Sequence, residues 1–96
     1  MFLILLTYKK PLEDVDRVVP AHMRWLAEHY AAGDFLLSGR KQPRTGGVIL
    51  ATVPTRAAAE AIARSDPLVS EGMAELDIVE FVASTAAPGL EMLKEL

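Results

Sequence analysis

The segment Phe2-Leu3-Ile4-Leu5-Leu6-Thr7-Tyr8 constrains the fold more than any other. Read as a strand, it sends Phe2, Ile4, Leu6 and Tyr8 to one face and Leu3, Leu5 and Thr7 to the other. Both faces are apolar, so both need cover. A helix layer covers only one face of a single sheet. In a chain of 96 residues, cover for the second face implies another sheet, and its simplest source is a second copy of the chain. The hydrophobic fraction, 51%, agrees, because a chain this short buries only about 60–70% of its unfolded surface by itself.

The rest of the chain supplies the helices and three further strands. Pro11 to about Ala32 has helical periodicity, with Leu12, Val15, Val19, Met23, Leu26 and Tyr30 on one stripe. Pro20 removes a ladder hydrogen bond and clashes one turn back, which predicts a kink or two pieces, the second starting near Pro20. Gly33 is the expected C-terminal cap. Phe35 to Gly39 and Val48 to Val53 read as strands, joined as a hairpin by a loop holding Pro43 and Gly46-Gly47. Thr55 is placed to cap an alanine-rich helix from Arg56 to Arg64, in which Glu60 and Arg64 form an i,i+4 pair. Ser65-Asp66-Pro67 turns the chain and starts a short turn of helix up to Gly72. Met73 to Ala83 contains the last strand, with Leu76, Ile78 and Val82 on one face and Val79 and Phe81 on the other. Residues 87–96 read as a tail or a short amphipathic helix. The order β-α-β-β-α-β in one domain, residues 1–96, predicts an α+β, ferredoxin-like antiparallel sheet with two helices on one face. Two such sheets packed face to face make a dimeric α+β barrel.

Charge and composition narrow the function. Ten Lys and Arg against thirteen Asp and Glu leave a net charge of −3, which argues against a nucleic-acid partner. No cysteine is present, so there is no disulfide framework or thiolate zinc site. The apolar start lacks a basic n-region, and no run approaches the roughly 18 apolar residues of a membrane span. These readings lead us to expect a cytoplasmic protein without a membrane partner.

Few polar residues suit chemistry. His22, in Pro20-Ala21-His22-Met23, carries the side chain whose unperturbed pKa lies nearest neutrality. It falls on the flank of the apolar stripe, where it reads either as a base at a cavity rim or as a boundary histidine. Asp66 reads either as a carboxylate orienting His22 or as the cap of the next short helix. His29 lies two turns, about 10 Å, from His22; it reads as a solvated helix residue, and with no third ligand in view metal binding is not expected. Asp34 is a turn residue that could also reach a site. Arg40 ends the second strand, where its guanidinium could hold a carboxylate or an enolate. Ser38 has no nucleophile-elbow motif around it. No phosphate-cradling glycine motif occurs.

Taken in order, Pro20-Ala21-His22 with Leu26, Gly33-Asp34-Phe35-Leu36-Leu37-Ser38-Gly39, Gly46-Gly47, the alanine-rich helix, Asp66-Pro67 and Gly72 resemble the YCII-related (YciI-like) family. The resemblance runs to about Ala83. It implies a ferredoxin-like fold dimerised through its sheets, and a His–Asp active-site pair falling on His22 and Asp66. Where many members carry Gly-Pro after the second strand, this chain has Gly39-Arg40, which adds a cation near the implied pocket. The leading expectation is a small enzyme working by proton transfer without a cofactor, an isomerase or an eliminating lyase on a small cyclic or aromatic acid-like substrate. His22 and Asp66 are its candidate catalytic pair; Arg40, Ser38 and Asp34 are its candidate substrate contacts. The rivals are a non-catalytic ligand-binding or accessory dimer and a cofactor-free monooxygenase.

Overall fold

The computed structural model describes residues 1–95. Strand β1 (Phe2–Tyr8) leads into α1 (Leu12–Ala31), β2 (Phe35–Arg40) and β3 (Gly46–Ala51). There follow α2 (Arg56–Arg64), a single turn α3 (Pro67–Ser70), β4 (Ala74–Glu80) and a short 3-10 turn at Glu91–Glu95. The sheet order is β2-β3-β1-β4, antiparallel throughout. This is the ferredoxin-like arrangement of the dimeric α+β barrel class, an α+β fold.

The register of β1 sets the two faces. Ile4 lies opposite Ile49 and Ile78, and Phe2 opposite Ala51, on the side covered by helices. Phe2, Ile4 and Leu6 are buried there, each contributing about 1.5–3 kcal/mol by leaving water. Leu3 pairs with Leu50 and Val79, and Leu5 with Val48 and Asp77, on the other side. Among the described residues α1, α2 and α3 lie on the opposite side, and on this one Leu37 is 58% and Val79 43% exposed.

Some local details differ from the sequence reading, while the caps expected at Gly33 and Thr55 are present. Helix α1 is one element, not two, and contains Pro20. Pro20 is on the exposed side, where water can satisfy the Asp16 carbonyl freed by the missing N–H. The buried stripe is Val15, Val18, Trp25 and Leu26, while Leu12, Met23 and Tyr30 are exposed. Gly33 has φ +80°, and the bonds Gly33 N–H to Tyr30 O and Asp34 N–H to His29 O close a Schellman motif. Gly46-Gly47 are strand residues of β3, not a turn. A Cβ on Gly46 would lie 1.8 Å from the Leu6 carbonyl oxygen, so only glycine lets β3 approach β1 there. Thr55 caps α2 by accepting from Ala58 N–H. Glu60 pairs with Arg56 at 3.4 Å rather than with Arg64. Strand β4 ends at Glu80, leaving Val82 77% exposed and outside the sheet. No helix among the described residues is long and apolar enough to cross a membrane.

Candidate active site

His22 and Asp66 meet across 44 residues of sequence. His22 Nδ1 is 2.8 Å from Asp66 Oδ1. A carboxylate can only accept, so the ring donates through Nδ1–H, and Nε2 is the nitrogen left with a lone pair. The Asp66 side chain is fully buried and that of His22 is 14% exposed. Asp66 Oδ1 also accepts the Leu68 N–H at 2.9 Å, capping α3, with Pro67 in its first turn. Both readings of Asp66 therefore describe one side chain. Its Oδ2 is buried with no protein hydrogen-bond partner among the described residues. The other candidate carboxylate, Asp34, bonds His29 instead, at 2.8 Å.

The pair is held by its surroundings. His22 lies on the buried side of α1, one turn beyond Val18 and one before Trp25 and Leu26, not on a flank. Trp25 stacks on His22 with ring centroids 5.6 Å apart. The indole N–H of Trp25 donates to Ser65 Oγ at 2.9 Å, and Ser65 donates to the Ile62 carbonyl at 2.6 Å. These bonds tie α1 to the end of α2, the residue before Asp66.

His22 opens on a cleft of about 360 Å³ between α1 and the helix-side face of β1, β2 and β3. Val19, Met23 and Leu26 come from α1, Leu6 and Ile49 from the sheet, and Leu68 from α3. The polar lining is Tyr8, Ser38, Arg40 and Arg44. Ser38 and Arg40 share a face of β2, because residues two apart on a strand point the same way. Arg40 makes no ion pair or side-chain hydrogen bond among the described residues. Arg44 is bonded to Asp16 at 2.5 Å and lies 5.9 Å from the centre of the Tyr8 ring. The hydrogen bond to Asp16 holds the Arg44 guanidinium above its usual pKa, against the opposing effect of desolvation. Tyr30 Oη and Ser38 Oγ are 2.6 Å apart, a contact that α1 periodicity did not reveal because Tyr30 read as core.

Asp34 is not at the cleft. The turn at Gly33 returns it to α1, where its Oδ2 accepts from His29 Nδ1 at 2.8 Å. His29 is therefore not simply solvated; it is 20% exposed and packs on Trp25 and Phe35 at 5.2 Å. The spacing His22-Trp25-His29, three and then four residues, was the available signal that both histidines share the inward face. Among the described residues no group of three or more His, Asp or Glu converges as a metal would need.

Fold and cleft together define a small α+β protein of the dimeric-barrel class, with a buried carboxylate–imidazole pair on the wall of an apolar pocket. The chain belongs to the YCII-related family, whose domain profile matches residues 1–82. No curated protein matches it by sequence. Among solved structures it is similar to 5-chloro-2-hydroxyhydroquinone dehydrochlorinase (TftG) from Burkholderia phenoliruptrix AC1100, in complex with 2,5-dihydroxybenzoquinone. That match has a TM-score of 0.70 at 14% identity and covers 84% of this chain and 93% of the other.

Proposed function

We propose that this protein is a cofactor-independent enzyme that moves a proton on a small cyclic or aromatic acid-like substrate, as an isomerase or an eliminating lyase. One observation carries the reading: a fully buried Asp66 carboxylate, with one oxygen lacking a donor among the described residues, is spent on His22 at the cleft wall. A cap alone does not require this. Asn or Ser caps a helix as well as Asp, and a buried unsatisfied polar atom costs about 1–3 kcal/mol. A carboxylate is needed where an imidazole must keep its tautomer and be stabilised when protonated.

In this mechanism His22 Nε2 takes a proton from an acidic C–H or O–H beside a carbonyl or ring. Asp66 holds Nδ1–H and balances the imidazolium that forms. The substrate's electron pair then either expels a leaving group from a neighbouring carbon, or returns to take the proton from Nε2 at a new position. Arg40 stabilises the developing oxyanion. Such a base contributes about 10²–10⁴-fold to rate. The likeness to a dehydrochlorinase supports the eliminating form and a hydroxylated ring as substrate.

The test is a panel of chlorinated hydroxyhydroquinones and small lactone acids, assayed with and without oxygen for chloride release, ultraviolet change and thermal stabilisation. We expect oxygen-independent turnover by the wild type and none by His22→Ala. Ligands that stabilise both proteins equally, with turnover by neither, would identify a binding protein. Turnover that requires oxygen would identify a monooxygenase.

A further inference from the structure

We infer that Tyr30 is a positioning residue that turns the Ser38 hydroxyl into the cleft as a donor, so that Ser38 and Arg40 together select a ligand carrying an ionised oxygen. The inference deepens the proton-transfer reading and relies on it for which cleft is the site. Tyr30 Oη and Ser38 Oγ are 2.6 Å apart. A phenol is the stronger acid of the two, so Tyr30 donates and Ser38 accepts. The serine proton is then free to point elsewhere, and Ser38 lines the cleft. Packing sets the direction of the tyrosine, since its ring meets Phe35 edge-on with centroids 5.9 Å apart.

Ser38 and Arg40 stand about 6.6–6.8 Å apart along one face of β2. Arg40 has no counter-charge among the described residues, whereas Arg44 is already offset by Asp16. Much of the rest of the wall is aliphatic. The cleft therefore offers a flat apolar ligand one uncommitted cation and one oriented hydroxyl, both on the β2 side. A phenolate or carboxylate matches that pair. None of the described residues lining the cleft is a carboxylate, so a cationic ligand meets no counter-charge on its wall.

The experiment uses 4-nitrophenol, whose anion absorbs visible light, so its protonation when bound can be titrated without turnover. We expect the wild type to favour the bound phenolate by about tenfold, one pKa unit of the probe. Arg40→Gln should abolish most of that preference. Tyr30→Phe and Ser38→Ala should each reduce it about threefold or more, and the double variant should lose no more than the larger single, because the two hydroxyls act as one unit. Circular dichroism confirms that each variant is folded, and Tyr30→Phe removes a single oxygen. No binding of the phenolate by the wild type, an unchanged Tyr30→Phe, or fully additive losses would each overturn the inference. So would loss of the preference in His22→Ala alone, which would put the oxyanion at the imidazole. Because no reaction is read, a catalytically inert protein still gives a result here, and the proton-transfer reading fails only by its own substrate panel.

Discussion

The indole N–H of Trp25 donates to Ser65 Oγ at 2.9 Å, and this bond fastens the middle of α1 to the residue that precedes Asp66. It places the imidazole and the carboxylate on two elements that are braced against each other. Trp25→Phe keeps most of the packing and removes the donor. We expect it to lower stability by about 1 kcal/mol and to reduce catalytic rate through a loosened His22–Asp66 contact. Thermal unfolding and single-turnover kinetics measure the two effects separately; a rate unchanged by Trp25→Phe would show that the brace serves stability alone.

Asp66 has two duties that different substitutions separate. Asp66→Asn keeps an oxygen for Leu68 N–H and buries no charge, so we expect stability to change by less than about 1 kcal/mol. That oxygen also goes on accepting His22 Nδ1–H, since both bonds meet Oδ1, but a neutral amide no longer balances the imidazolium that forms when Nε2 takes a proton. Activity should fall about 10²–10⁴-fold. Asp66→Ala loses the cap as well and should cost a further ~1–2 kcal/mol. Equal activity of Asp66→Asn and wild type would sink the dyad.

Gly46 shows a different kind of sensitivity. A methyl group there would meet the Leu6 backbone at 1.8 Å, and backbone cannot move aside as a side chain can. We expect Gly46→Ala to destabilise by about 1–3 kcal/mol or more and to distort the cleft wall, seen as a lower melting temperature with weakened ligand binding. Gly33→Ala, at φ +80° with open space around it, should cost only the left-handed backbone penalty of ~1–2 kcal/mol and leave binding intact.

The uncovered sheet face is predicted to meet a second copy of the chain. Leu37 and Val79 are exposed on it, and Leu3, Leu5, Val48 and Leu50 lie between them. Sedimentation of the wild type should give a dimer, and Leu37→Lys with Val79→Lys should give a monomer or an aggregate. A wild-type monomer at high micromolar concentration would contradict this.

Local chemistry was enough to read the element order. Alternation along Phe2–Tyr8, the glycine after α1, the threonine before α2 and the Asp66-Pro67 turn each act within a few residues, and each is where sequence placed it. The phase of α1 was harder. Its large apolar residues spread over nearly half its circumference, so periodicity alone chose Met23 and Tyr30 for the core, where packing against the sheet chose Val18 and Trp25. Helix continuity through Pro20 likewise depends on that residue facing water. Which carboxylate serves which histidine was beyond any local rule, because Asp34 and Asp66 are equivalent as residue types. The Schellman turn at Gly33 sends Asp34 to His29, and the docking of α3 beside α1 delivers Asp66 to His22. Hydrogen-bonding partners 44 residues apart are decided by how the layers stack, and that stacking exists only in the folded chain.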